Sequence, residues 1–152
     1  MVERRIRASI VTVLLASSLV TVGGGPASAA CAHPERTLGE IIDSGDTGST
    51  YSDTLFVGRV RQLRRARDGM VPARFRVRAV AAGHAADRVT VWGADPDDNM
   101  SMSEEVVFRD GGRYVVQGHK LRSGGFTTSA CTHTRRISRE RMRELLRRIR
   151  HA

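Results

Sequence analysis

The stretch Gly112–Cys131, GRYVVQGHKLRSGGFTTSAC, predicts a β-hairpin. Two runs rich in β-branched and aromatic residues, Tyr114–Leu121 and Phe126–Ala130, flank a turn at 122–125. The two glycines of that turn supply the positive φ that a tight connection requires. Because an isolated hairpin is only marginally stable in water, this hairpin must belong to a larger sheet.

Further strands are predicted between residues 54 and 108. Thr54–Leu63 is apolar on both faces near its start, which is typical of a strand inside a sandwich or a closed barrel. Ala73–Val80 alternates between apolar and basic residues, and shorter strands are expected at Val89–Trp92 and Glu105–Phe108. Five or six short strands predict a mainly β fold, a small OB-like antiparallel barrel that is closed or nearly closed.

A short helix is predicted before the first strand. Thr37 and Glu40 have the spacing of a capping box, in which each side chain accepts a hydrogen bond from the other residue's backbone N–H. Leu38, Ile41 and Ile42 would form the apolar face of this helix.

A second, basic amphipathic helix is predicted at the C-terminus. Ser138 can cap it, and apolar residues follow at i, i+3, i+4 and i+7, with arginines on the other faces. These apolar residues are Met142, Leu145, Leu146 and Ile149. Such a stripe most often packs on its own domain, but a basic amphipathic helix can also lie on an anionic membrane or bind an acidic partner. The sequence leaves both interpretations open.

The first 30 residues have the organisation of a secretory signal peptide. A charged segment, Glu3–Arg7, precedes the apolar run Ile10–Val22 and the small residues Pro26–Ala30, which predict cleavage after Ala29 or Ala30. The apolar run is shorter than the roughly 20 residues of a spanning helix. We therefore predict a signal peptide at 1–30, a barrel domain at 31–134 and a basic helix at 135–152, in a monomer that is secreted or held in the cell envelope.

The positive charge is concentrated at the C-terminus. Residues 31–134 contain 14 Arg and Lys against 13 Asp and Glu, whereas residues 135–152 contain eight Arg against two Glu. A nearly neutral barrel with scattered aromatic residues does not favour nucleic acid as a partner. The predicted anion-binding residues are therefore those of the tail: Arg135, Arg136, Arg139, Arg141, Arg143, Arg147, Arg148 and Arg150.

The predicted strand Ala73–Val80 also carries arginines on its outward face, at positions 74, 76 and 78. These side chains could form an anion platform. A solvated face, whose aliphatic stems cover apolar neighbours, is the more common arrangement, and it is the one we expect.

The chain has two cysteines, which in an exported protein predict one disulfide, Cys31–Cys131. On the chain-entropy model, a loop of about 100 residues stabilises the fold by roughly 4.7 kcal/mol. The matching pairs Cys31-x-His33 and Cys131-x-His133 offer four zinc ligands as an alternative. An oxidising compartment and an unusual ligand spacing favour the disulfide, so we predict no metal.

The sequence does not favour an enzyme. The acidic residues Asp95, Asp97 and Asp98 lack the glycine spacing of a calcium loop, and no Gly-x-Ser-x-Gly elbow accompanies the serines. His84 and His119 are isolated in the sequence. We expect no catalytic residue and no cofactor.

Several short segments resemble a known family in their order along the chain. They are Cys31 after the signal peptide, FVGRV at 56–60, the 75–80 strand followed by Gly83, VTV at 89–91, GRYVV at 112–116 and SAC at 129–131. Over residues 31–134 the chain resembles bacterial proteins that are similar to the netrin-like, OB-fold N-terminal domain of tissue inhibitors of metalloproteinases. The resemblance implies a five-stranded barrel and protease inhibition.

In that family, the α-amino group and carbonyl of an N-terminal cysteine chelate the catalytic zinc of the target. The resemblance thus implies a partner-binding segment at Cys31, Ala32 and His33, with a zinc metalloproteinase as partner, provided that cleavage follows Ala30. Relatives usually begin with Cys-x-Cys, where this chain has His33. From sequence we expect an exported protein-binding module of this inhibitor-like kind. The alternative is an envelope protein tethered to anionic lipid or polymer by its Arg-rich C-terminal helix, without inhibitory activity.

Overall fold

The computed structural model of the protein describes residues 36–97, 106–129 and 131–152. The predicted signal peptide and the segment Cys31–His33 lie outside the described residues. The elements are two helices, α1 and α2, and the strands β1 to β6. Their bounds are α1 Leu38–Ser44, β1 Thr54–Leu63, β2 Met70–Ala82, β3 Arg88–Ala94, β4 Arg113–Lys120, β5 Phe126–Thr127, β6 Arg135–Arg136 and α2 Arg139–His151.

Five of these strands form a closed barrel in the order β1-β2-β3-β5-β4, and β1 pairs again with β4. The neighbouring strands are antiparallel except β3 and β5, which run parallel through Val91–Phe126 and Trp92–Thr127. The additional strand β6 lies beside β4. The structure confirms the predicted mainly β, OB-like barrel with one helix before it and one after it.

Strand β1 is buried on both faces along its first half, as its sequence predicts. Phe56 and Val60 face the barrel interior, where they join one core cluster, whereas Leu55 and Val57 belong to a second cluster beneath the helices. The strand is also paired along both edges, with β2 and with β4. Strand β1 is therefore the central strand of the domain.

Aromatic side chains fill the barrel interior. Phe75 and Phe108 pack edge to face with ring centroids 5.1 Å apart, and Phe108 packs on Tyr114 at the same distance. Phe56 contacts both Phe75 and Phe126. These rings make the barrel interior a packed aromatic core.

Two strand predictions are wrong in part. The described residues of the predicted strand Glu105–Phe108 do not form a strand, although the carbonyl of Val106 accepts one hydrogen bond from Ala94 N–H (3.0 Å). Strand β5 ends at Thr127 instead of continuing to Ala130. The chain leaves the sheet there because the Thr128 hydroxyl donates to the Gln117 carbonyl oxygen (2.7 Å).

Both helices pack on the outer face of the barrel. Met142 and Leu145 of α2 are buried against Leu38, Ile41 and Ile42 of α1 and against residues of β1, β2 and β4. The Thr37–Glu40 capping box of α1 is present, as predicted. Helix α2 is thus packed on its own domain, which agrees with the first of the two interpretations of its apolar stripe. Among the described residues, no helix has the length and apolarity needed to cross a bilayer.

The packing of α2 can be tested with Leu145→Ala. Leu145 is 3% exposed, so the truncation should lower the free energy of unfolding by about 2–4 kcal/mol through lost burial and a cavity. The measurement is urea denaturation followed by circular dichroism. Arg147→Ala, at an exposed position of the same helix, is the control and should change the stability by less than about 0.5 kcal/mol. Equal stabilities of the two variants would contradict the packed position of α2.

Candidate anion-binding surface

Four arginines lie side by side across the outer face of the barrel. Arg113 of β4 pairs with Arg59 of β1, Arg59 pairs with Arg76 of β2, and Arg76 pairs with Arg88 of β3. Residues directly opposite each other in antiparallel strands project to the same face, and adjacent strands are about 4.8 Å apart. The four residues, which we call the arginine row, therefore follow one another around the curved outer wall of the barrel, over roughly 14 Å measured along the sheet.

The mutual repulsion within the arginine row does not stabilise the sheet. Like charges directly opposite each other on neighbouring strands are destabilising. Side chains alternate between the two faces of a strand. Because Phe75 and Val60 point into the barrel, their neighbours Arg76 and Arg59 lie on the outer face. The strand pattern places the charges outside, but it does not account for four of them in register.

Helix α2 adds two further arginines beside the row and encloses a cleft of about 510 Å³. We call it the helix cleft. Met142 and Leu146 of α2 form its apolar part. Its basic residues are Arg59, Arg78, Arg113, Arg139 and Arg143, and no acidic residue lines it.

These five arginines lack carboxylate partners within the described part of the chain. There, the arginines that form salt bridges are Arg36, Arg141 and Arg148, and the ring of His119 lies beside Asp53. Arg59 instead donates from Nε to the Gly111 carbonyl oxygen (3.0 Å), which orients its side chain. A cleft lined by one sign of charge concentrates the field and attracts counter-ions.

A second cleft, of about 600 Å³, lies on the other side of the row, and we call it the strand cleft. Arg76 and Arg88 belong to both the row and this cleft, and Arg61 and Arg74 add two more guanidinium groups. Phe75, Val89, Thr90 and Gln62 complete its lining. The three β2 arginines are exposed, in agreement with the solvated face that we expected, and they also line the two clefts: Arg74 and Arg76 the strand cleft, Arg78 the helix cleft.

The predicted anion-binding residues of the tail are divided between different environments. Arg139 and Arg143 enter the helix cleft, whereas Arg147 and Arg150 lie on another exposed side of α2 near Glu140. Arg135 and Arg136 are exposed in β6. The remaining two, Arg141 and Arg148, are engaged in salt bridges with Glu144 and Asp43.

Arg148 has a structural role. Its guanidinium donates to both carboxylate oxygens of Asp43 in α1, at 3.1 Å from Nε and 2.6 Å from Nη2. The hydrogen bonds from Arg148 hold the pKa of Asp43 below its ordinary value, and the same contact raises the pKa of Arg148. At the start of α1, hydrogen bonds from the backbone and side chain of Thr37 lower the pKa of Glu40.

The predicted partner-binding residues Cys31, Ala32 and His33 lie outside the described residues. The described chain begins, however, against the segment that follows Cys131. His133 donates from Nε2 to the carbonyl oxygen of Arg36 (2.8 Å) and is itself nearly buried. The Cys31–Cys131 disulfide stays a prediction.

The acidic residues after β3 and the isolated histidines do not form a site among the described residues. Asp97 N–H donates to Asp95 Oδ1 (3.1 Å) in a turn after β3, and Asp98 lies outside the described residues. His119 Nδ1 lies 3.3 Å from Asp53 Oδ2 at an exposed position. Within 36–97, 106–129 and 131–152, His, Cys, Asp and Glu residues nowhere gather in groups of three or more that could hold a metal.

The Arg148–Asp43 contact predicts a pH dependence of stability. Because the pKa of Asp43 is lower in the folded protein than its ordinary value of 3.8, the contact stabilises the fold above that pH. The stabilisation is lost as the pH falls through 3.8 and then through the lower folded-state pKa. Asp43→Asn should therefore flatten the fall of the unfolding free energy on acidification, measured by urea denaturation at several pH values. Arg148→Gln removes the same contact and should flatten it equally; different slopes for the two variants would contradict the assignment.

Comparison with known proteins does not identify a function for this surface. No family model matches the chain, and no curated protein matches it significantly.

Proposed function

We propose that the protein is an exported binding module that holds anionic polymers of the cell envelope on its arginine surface. The observation that carries the proposal is the arginine row, in register across four strands and extended by Arg139 and Arg143 of α2. Guanidinium groups are planar forks that bind carboxylate, phosphate and sulfate groups with two parallel hydrogen bonds. A bound polyanion would offset the mutual repulsion of the row.

The extent of the surface favours a polymer over a single small anion. The row curves around the barrel wall, with Arg59 and Arg113 in the helix cleft and Arg76 and Arg88 in the strand cleft, so it offers more guanidinium groups than one phosphate or carboxylate group can contact. An extended chain with repeated negative charges can engage several arginines together. Such binding displaces counter-ions, so its affinity should fall steeply as salt is added.

The position of α2 favours this surface over insertion of the helix into a membrane. The apolar residues Met142 and Leu145 are buried against the barrel, so the packed helix has no apolar face with which to enter a bilayer. Its arginines act instead together with those of the barrel. From sequence we expected the C-terminal helix alone to tether the protein to an anionic surface. In this proposal, α2 supplies only part of the binding surface, and the barrel arginines supply the rest.

The double variant Arg76→Gln/Arg88→Gln tests the proposal. With alginate and polyphosphate as probes, losing two charges should weaken binding by about thirtyfold at low salt, at about 1 kcal/mol per arginine. The slope of log K against log salt should become less steep by roughly 0.7 for each lost arginine. Calorimetric titration at several salt concentrations measures both quantities.

Arg135→Gln/Arg136→Gln is the matched control, because it removes two exposed arginines of β6 that line neither cleft. This control should keep most of the affinity. Equal losses for the two double variants would mean that only net charge matters, which would contradict a defined surface. Failure of the wild-type protein to bind either polymer at low salt would refute the proposed function.

The inhibitor-like function expected from sequence is a second candidate, favoured by the contact between His133 and Arg36. This contact directs the N-terminal segment toward the barrel end that carries Cys131. A Cys31–Cys131 disulfide would then hold Cys31, Ala32 and His33 together at one protein-binding edge. The described residues of this region, Arg36 and His133, line neither the helix cleft nor the strand cleft, so variants can test the two activities separately.

This candidate predicts that the secreted chain begins at Cys31. Intact mass and N-terminal sequencing should show that start, and reduction should add two hydrogens. A micromolar concentration of this protein should then slow at least one zinc metalloproteinase of a panel. A chain that begins at Ala30, or a panel without any slowing, would refute the inhibitor mechanism and leave the arginine surface unaffected.

A further inference from the structure

We propose that the polymer is an acidic polysaccharide, one of whose sugar rings packs on Trp92 in a groove beside the arginine surface. This inference rests on the proposed function and specifies its ligand. The groove, which we call the turn groove, has a volume of about 590 Å³ and lies between the β1–β2 connection and the β4–β5 turn. It is lined by Arg64, Arg65, Arg67, Pro72, Thr90, Trp92 and the turn residues Ser123, Gly124 and Gly125.

The turn groove continues the arginine surface. Thr90 lines both the turn groove and the strand cleft, and the strand cleft in turn contains Arg76 and Arg88 of the row. Along β3, Arg88 and Trp92 are four residues apart, or roughly 13 Å. One extended polymer can therefore contact the row and Trp92 together, whereas a small anion cannot.

Trp92 is the aromatic ring available to such a polymer. The chain has seven aromatic residues, all of them described. Five are buried in the barrel interior, and Tyr51, 87% exposed, lies in the loop before β1. Trp92 is half-buried on the outer face, opposite Pro72 of β2, and it lines the turn groove.

A single aromatic ring next to many arginines fits a polysaccharide better than a single-stranded nucleic acid. Proteins that bind single strands stack successive bases on several aromatic side chains. A sugar ring needs one flat apolar surface, and its hydroxyl groups need small polar neighbours. Thr90 and Ser123 provide hydroxyls beside Trp92, and the guanidinium groups of the groove can bind carboxylate or sulfate substituents.

The β4–β5 turn leaves room for a ring. Gly124 and Gly125 have φ of 86° and 85°, a conformation that other residues rarely adopt. A Cβ atom at Gly125 would lie 2.8 Å from the Thr90 carbonyl oxygen, so the turn packs closely against β3. A Cβ atom at Gly124 would have no neighbour within 4 Å. At Gly124 the outer wall of the groove therefore consists of backbone without a side chain.

The test compares two polyanions of matched charge, one with sugar rings and one without. Alginate oligosaccharides and polyphosphate are titrated into the purified protein and into Trp92→Leu, a variant that keeps apolar volume but loses the flat ring. We expect Trp92→Leu to bind alginate about 3- to 10-fold more weakly and polyphosphate with less than about a twofold change. Tyr51→Leu removes the other exposed ring and should bind both as the wild type does. Circular dichroism checks that each variant is folded.

The fluorescence of Trp92, the only tryptophan, gives a second readout in the wild-type protein. Alginate should change its intensity or emission maximum, and polyphosphate should not.

Equal losses for both polymers in Trp92→Leu, or no loss for either, would overturn the sugar contact while leaving the arginine surface intact. Tighter binding of a charge-matched oligothymidylate, sensitive to Trp92→Leu, would overturn the polysaccharide in favour of single-stranded nucleic acid. Dextran sulfate in place of alginate distinguishes sulfate from carboxylate as the preferred substituent.

Discussion

Strand β1 pairs along both of its edges, and this double pairing sets the geometry of the whole barrel. Its contacts with β2 and β4 close the barrel and fix the register of three strands at once. A shift of one residue in that register would exchange interior and exterior side chains. The same register brings Arg59 opposite both Arg76 and Arg113. Barrel closure and the arginine row therefore have the same cause: the strand pairing that buries Phe56 and Val60 inside the barrel also aligns the arginines on its outer wall.

The basic C-terminal segment combines a structural and a binding role in one helix. Its apolar stripe covers the outer core cluster above β1, and Arg148 links it to Asp43 of α1. Once α2 is packed in this way, Arg139 and Arg143 face the barrel arginines across the helix cleft. Packing of the helix thus determines which of its arginines can share a ligand with the barrel, and a bound polyanion would in turn favour the packed position.

A polar network joins the start of the described chain to the segment that follows Cys131, at another part of the barrel. The Gln117 side chain donates to Ser52 Oγ (2.7 Å) and accepts from His133 N–H (3.1 Å), while His133 reaches Arg36. In the part of the chain that the structure describes, every buried side-chain nitrogen and oxygen has a hydrogen-bond partner. A fully satisfied network is compatible with a stable interior. The residues of this network, Ser52, Gln117, His133 and Arg36, line none of the arginine-lined clefts.

Local patterns determined most of the elements from sequence, whereas the functional surface depends on tertiary structure. The capping box at Thr37 and Glu40, the two-sided burial of β1, the alternation of β2 and the stripe of α2 each involve residues close in sequence, so their spacing predicts them. The early end of β5 depends on a hydrogen bond between Thr128 and Gln117, and β6 forms only because β4 offers a free edge. The arginine row joins residues 59, 76, 88 and 113, whose proximity follows from strand register alone. The sequence by itself therefore determined a barrel with alternating arginines and a basic helix. Strand pairing and helix packing bring the arginines next to one another around the barrel and into two clefts, because side chains far apart in sequence become neighbours only when the barrel closes.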